Sequence, residues 1–194
     1  MNLIVGNTSQ LFPYFKEYDP NIIGVSSRDF NVESLGGQTF ERAFIAFAEQ
    51  RTFLNEKLSF FTDINVDYTL NVIIKLSPYV KTFIVYSTSE LWNGYEGGIN
   101  LHTPYNYNDS PYIKSKEIME YRVNLLRNFG VDIKIIYPFN FNSPYRKPGF
   151  LFSKFMDVIL HNKKITVGDC PCSTPSINDH FPRNGALSVA LGVV

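Results

Sequence analysis

Short apolar runs alternate along this chain with longer segments of helical spacing. Residues 2–5 form an apolar run that ends at Gly6, as a buried strand opening into a turn does. Residues 22–25 repeat the pattern and stop at Ser26-Ser27-Arg28-Asp29. Residues 44–47 read as a third strand, after a region containing Gly36-Gly37. Over residues 65–76, Val66, Leu70, Ile73 and Ile74 recur at helical spacing, and Pro78 closes the helix. Residues 82–86 are the cleanest strand. A polar loop rich in Gly, Asn and Tyr follows over 93–109. A helix is expected over 111–128 with Gly130 as its stop, then a strand over 131–137 ended by Pro138. Another helix is expected over 148–161, with Phe152, Phe155, Met156, Ile159 and Leu160 as its apolar face. Strands alternating with helices predict an α/β fold with a parallel sheet covered on both faces. Residues 170–194 mix Pro, Ser, Asn and Cys before an Ala/Leu/Val run and fit neither pattern.

The 194 residues suffice for one domain with a real core. Hydrophobic residues at 44% and charged residues at 19% exclude a disordered chain. Eighteen basic and eighteen acidic residues cancel, which argues against electrostatic binding to nucleic acid. The amino terminus has no basic region and too short an apolar run for a signal peptide, and no stretch is long enough to cross a bilayer. Cys170 and Cys172 are too close in sequence for an easy disulfide, and no His/Cys cluster accompanies them for a metal. Free thiols in a cytoplasmic protein are the expectation.

In a sheet of this kind ligands sit beyond the carboxyl ends of the strands. Gly6, Ser26–Arg28, Ala48, Ser87-Thr88-Ser89-Glu90 and Pro138-Phe139-Asn140 all fall there. Tyr112 and Lys116 lie four apart in a predicted helix and share one face. An ammonium beside a phenol favours phenolate, so the tyrosine pKa is expected to fall toward working pH, as a general acid/base requires. Plainer readings stand beside these. The Ser/Thr cluster is also what a turn or helix cap looks like, Asn65 could cap its helix, and Asn140 fits plain turn chemistry. Glu90 and Arg28 could be solvated surface charges.

Taken in order, the motifs resemble those of the extended short-chain dehydrogenase/reductases, in the NAD-dependent epimerase/dehydratase group that acts on nucleotide sugars. Asn65-Val66-Asp67-Tyr68-Thr69-Leu70-Asn71 is similar to the family's Asn-Val-x-Gly-Thr-x-Asn. Ser87-Thr88-Ser89-Glu90-Leu91-Trp92 resembles Ser-Thr/Ser-x-Glu-Val-Tyr-Gly, and Ser110 to Lys116 resembles Ser-Pro-Tyr-x-x-Ser-Lys, with Glu120 also matching. Pro138 to Pro144 resembles Pro-x-Asn-Val-Tyr-Gly-Pro. The resemblance covers residues 1–169 and implies a Rossmann-type doubly wound sheet there, with 170–194 as an atypical tail.

It also implies roles. Tyr112 would exchange a proton with a sugar hydroxyl or ketone, Thr88 would hydrogen-bond the reacting oxygen, and Lys116 would lower the tyrosine pKa and hold the nicotinamide ribose. Gly6, Ser9, Ser26, Arg28, Ala48, Asn65, Lys116 and Pro138 would line the cofactor. Ser87, Ser89, Glu90 and Asn140 would line a nucleotide-sugar substrate. A homodimer through a bundle that includes the Tyr112 helix is the implied assembly, with no nucleic-acid or membrane partner.

Four departures qualify the picture. Gly6-Asn7-Thr8-Ser9-Gln10-Leu11-Phe12 keeps only the first of the family's three turn glycines, and Phe12 should force the following helix to repack. Ser26, Ser27 and Arg28 replace the acidic residue of NAD enzymes, which favours NADP over NAD. Ser89 stands where dehydratases carry an aspartate, so epimerisation or keto reduction is expected over dehydration. Family members continue for about another hundred residues, so a reduced or missing substrate lobe is expected. The alternative is a non-catalytic dinucleotide-binding or interaction protein that keeps the fold.

Overall fold

The computed structural model describes residues 1–100, 102–106, 109–139, 143, 145, 160 and 161. The chain divides into two compact units, Met1–Asn140 and Phe141–Val193, and the described elements lie almost entirely in the first. The predicted helix over 148–161 lies outside the described residues except for Leu160 and His161, which are helical. The expected boundary at residue 169, and Asn140, Cys170 and Cys172, also lie outside them.

Five strands form one parallel sheet. They are β1 (Asn2–Val5), β2 (Ile23–Val25), β3 (Phe40–Ile45), β4 (Val80–Tyr86) and β5 (Asp132–Ile136), in the order β2-β1-β3-β4-β5. Parallel neighbours need crossovers, and helices supply them. After β1 the chain steps to one side for β2 and then to the other side for β3. The strand order therefore reverses between β1 and β3, where a doubly wound sheet opens its ligand crevice. Val25, Val5, Ile45, Val85 and Ile135 align in register, so the carboxyl ends form one rim.

Alternation along the strands decides the layers. Leu3, Val5, Ala43, Ile45, Phe83, Val85 and Ile133 share a core with Val66, Val72, Ile73, Leu76, Met119 and Val123 of the crossover helices. Each large apolar side chain fully buried there contributes about 1.5–3 kcal/mol. On the other face α1 (Phe12–Tyr18) packs Phe15 on Phe44, with ring centroids 4.4 Å apart.

Strand β3 starts at Phe40, earlier than the apolar run predicts, and ends at Ile45. Glu41 and Arg42 are exposed at the end of the ladder, where Glu41 pairs with Lys81 at 2.7 Å, and these two charges hide the strand in the sequence. The helix over 65–76 also starts earlier than expected. It begins as α2 (Leu58–Thr62), passes through a π-helical segment (Asp63–Tyr68), and continues as α3 (Thr69–Leu76). The wider turn puts Asn65 inward, fully buried. Helix α4 (Pro111–Arg127) opens with proline in its first turn, where no amide bond is lost. Its buried stripe runs Tyr112, Ile113, Ser115, Lys116, Met119, Glu120, Val123. Three of those positions are polar, so the helix faces a site rather than a plain core.

Candidate active site

Strand β4 delivers Ser87 and Thr88 to the rim, and a 3-10 turn, Ser89–Trp92, carries the chain away. Thr88 begins this turn, accepting from the Glu90 amide at 3.2 Å. Its hydroxyl also lies close enough to the Tyr112 phenol on α4 to act on that phenol's pKa, so a hydroxyl and a phenol meet at the rim. Both residues are buried, and Phe61 stands edge-on to the Tyr112 ring, 6.1 Å between centroids.

The expected fall in the tyrosine pKa does not occur. Burial pushes the Tyr112 phenol up to about 12, against the lowering effect of Thr88 and with a further rise from the charge of Glu90. Phe61, Leu91, Trp92 and Ile113 pack around it and remove the water that would solvate a phenolate. Lys116 does not reverse this. Its ammonium donates to the Tyr86 carbonyl at 2.9 Å, and its own pKa is lowered by burial from 10.5 to about 8, with the charge of Glu120 acting the other way. The phenol is therefore a proton donor at neutral pH.

Asn65 does not cap its helix. Its carbonyl accepts from the Glu49 amide at 2.7 Å, and its amide donates to the Glu49 carbonyl and to Ser115 Oγ, both at 3.0 Å. Its side-chain polar atoms bond within the protein and tie the segment after β3 to α4. Ser115 in turn donates to the Tyr112 carbonyl at 2.6 Å. Ser87 likewise turns inward and donates to Glu120, so its proton is not free for a substrate. Ser89 is half-buried at the start of its turn. Glu90 is exposed overall, while the protein packed about its carboxyl raises its pKa. Pro138 is half-buried just beyond β5.

Eighty-two positions of chain separate Thr88 from Gly6, but the sheet brings the two strand ends to one rim. Gly6 has φ +107°, and a Cβ there would come within 2.8 Å of the Ala46 carbonyl. Only glycine lets the turn lie flush against the segment leading to Ala48. The turn then satisfies itself. The Gly6 and Asn7 amides donate to the Val25 carbonyl, the Ser9 amide to Gly6, and the Phe12 amide to Ser9. Ser9 Oγ accepts from the Leu11 amide at 3.3 Å. The expected repacking around Phe12 takes a specific form: its ring lies over Gly24, 2.5 Å from where a Cβ would stand. Glycine in β2 absorbs the bulk that glycine in the helix would have avoided. Ser26 accepts from the Arg28 amide at 3.1 Å, and the Arg28 side chain is exposed.

Glu49, Tyr105 and Tyr137 stand in no motif, and Ser115 and Glu120 show in the sequence only as motif matches. Their roles depend on a π-helical turn and a long loop, which no spacing rule marks. Among the described residues no helix is long and apolar enough to cross a membrane.

A family model described as the NAD dependent epimerase/dehydratase family matches residues 44–171. No curated protein matches the sequence. Solved structures do resemble it. A UDP-glucuronic acid 4-epimerase from Bacillus cereus in complex with NAD superposes with a TM-score of 0.70 at 14% identity, covering 84% of this chain and 63% of that one. A dTDP-glucose 4,6-dehydratase from Streptomyces venezuelae with NAD bound gives 0.70 at 20% identity, with the same coverage of 84% and 63%. A UDP-N-acetylglucosamine 4-epimerase from Methanobrevibacter ruminantium M1 gives 0.69 at 15%, covering 84% and 63%. The fold is thus the Rossmann-type sheet of those enzymes, and the chain spans less than two thirds of their length.

Proposed function

The chain belongs to the NAD-dependent epimerase/dehydratase family, and from that premise we propose that it binds a nicotinamide dinucleotide and carries out keto reduction or epimerisation of a nucleotide sugar. The observation that carries this reading is the approach of the Thr88 hydroxyl to the Tyr112 phenol, at the rim beside a buried lysine on the same helix.

The residues fit such a cofactor at both ends of the crevice. The cradle at Gly6, which a Cβ would fill, suits the close approach of a pyrophosphate. Lys116 offers a buried ammonium for ribose hydroxyls. Ser26 and the exposed Arg28 suit a 2′-phosphate, which favours NADP. When bound, the nicotinamide supplies or accepts the hydride.

Everything else falls to the chain. Thr88 holds the reacting oxygen next to the phenol. Tyr112, protonated up to about pH 12, gives its proton to an oxygen that becomes an alcohol. The wall of Phe61, Leu91 and Trp92 keeps water from that transfer. A donor poised this way favours reduction. Epimerisation also needs the phenolate, so it requires the tyrosine pKa to drop in the loaded site. Ser89 in place of an acid argues against dehydration.

A second reading has its own observation. The self-satisfied turn at Gly6–Phe12 leaves fewer amides for phosphate, which suits a chain that binds a dinucleotide weakly without turnover.

A panel of UDP- and dTDP-sugars, assayed with NADPH and NADH, separates the two readings. The leading one expects turnover that Tyr112→Phe lowers by about 100-fold or more while cofactor affinity stays within twofold or so. Turnover of parent strength in Tyr112→Phe would reject the assignment of the proton donor.

A further inference from the structure

Glu120 is the only buried acidic side chain among the described residues. Its two oxygens receive three hydroxyls. Ser87 donates to Oε1, Tyr105 donates to Oε2, and Tyr137 donates to Oε2 at 2.9 Å. Every one of these hydrogen bonds is one that a carboxylate oxygen accepts. Glu120 forms no ion pair among the described residues. A buried charge with neutral partners is costly unless an opposite charge lies near. Lys116 is that charge. It sits one turn earlier on the same face, equally buried, and its own hydrogen-bond partner is a neutral carbonyl.

The three hydroxyls come from three different places. Ser87 precedes Thr88 at the end of β4, Tyr105 belongs to the 93–109 loop, and Tyr137 follows β5. Trp92 packs edge-on against both tyrosines, with centroids at 5.3 and 5.0 Å, so their rings are held in place. We infer that Glu120 is a positioning residue of this site: its charge keeps Lys116 protonated, and its hydroxyl partners fix the Thr88-bearing strand end against the helix that carries Tyr112. The inference rests on the proposed reading of Thr88, Tyr112 and Lys116 as the reacting groups.

The surrounding groups make the effect legible. Burial lowers Lys116 to about 8 and the charge of Glu120 opposes it. The phenols beside the pair are Tyr105 from the loop and Tyr137 after β5, both on Glu120, and Tyr112 one turn before Lys116 on α4. Burial raises all three, two of them to about 12. Arg127 acts on Tyr137 and Glu90 on Tyr112. The phenols thus remain neutral through pH 10, and a charge change near pH 8 reports the lysine.

The test is an NMR titration of the full chain carrying lysine labelled with carbon-13 at Cε, without nucleotide, with the Lys116 signal identified by its loss in Lys116→Met. In Glu120→Gln the Lys116 midpoint is expected to fall by about one unit or more. An unchanged or higher midpoint overturns the inference. Should Glu120→Gln not fold, Tyr105→Phe keeps the carboxylate while removing one donor. There the midpoint is expected to hold or rise, and a fall overturns the inference. The readout needs no cofactor. Failure of the parent chain to bind a dinucleotide would therefore count against the proposed function alone, and a static midpoint in a chain that does bind would count against Glu120 alone.

Discussion

Around Tyr112 the chain buries a lysine, a carboxylate and several hydroxyls beneath aromatic rings. Around Gly6 it forms a short turn whose backbone amides bond within the turn and to Val25 of β2, with Gln10 Oε1 buried and unpartnered, followed by a seven-residue helix with no buried residue. Both lie on the rim of the same sheet. The contrast separates two kinds of polar residue. Those at Gly6–Phe12, Gln10 apart, are accounted for by turn chemistry. Those on α4 are held at a cost in free energy, and a stable fold alone gives no reason for a buried Lys116. Cost without structural return is the mark of a working site.

Lys116→Met tests that contrast with the largest expected effect. The depression from 10.5 to about 8 costs at most about 3 kcal/mol at neutral pH. The lost bond to the Tyr86 carbonyl offsets about 1 kcal/mol of this. With Glu120→Gln made alongside, so that no buried carboxylate is left without its counter-charge, the variant should therefore be more stable than the parent by about 2 kcal/mol at pH 7. The sign with pH follows from proton binding. Below about pH 8 the lysine is charged in both states and the cost is fully present. Between 8 and 10.5 the unfolded chain holds more protons, so the parent gains stability as pH rises. Urea unfolding at pH 7 and pH 10.5 should show the advantage of the variant disappearing. A variant less stable than the parent at pH 7 would make Lys116 an ordinary structural residue.

Gly24→Ala probes the other end. The new methyl meets the Phe12 ring, and overpacking of this kind costs about 1–3 kcal/mol. Phe12→Ala should relieve most of that loss, so a double-mutant cycle measures the coupling. Independent effects would deny that Gly24 accommodates Phe12. The smallest effect is expected at Arg28. Arg28→Ala should weaken NADPH binding by about tenfold, as loss of one charged hydrogen bond does, and leave NADH binding alone. Equal losses for both would remove its role at a 2′-phosphate.

How far the sequence could be read follows the same division. The carboxyl ends of β1, β2 and β4, the shared face of Tyr112 and Lys116, and the meeting of Thr88 with Tyr112 depend on local spacing and the topology of a parallel sheet, and these are legible in the sequence. The direction of the tyrosine shift was not. It depends on Phe61 and Leu91, which come from distant segments and desolvate the phenol more than any charge stabilises its anion. Asn65 reads as a cap until the π-helical turn swings it inward to Glu49 and Ser115. Strand β3 was cut short because Glu41 and Arg42 interrupt the apolar run at an exposed ladder end. Phe12 looked disruptive because its complement, Gly24, lies on another strand.

The most direct test of the account is a fluorescence titration of the parent chain and Lys116→Met with NADPH. Saturable enhancement in the parent, lost or weakened about tenfold or more in Lys116→Met, is the predicted result. No saturation in the parent, or equal affinity in the two proteins, would contradict the claim that the buried groups of α4 form the end of a nicotinamide site.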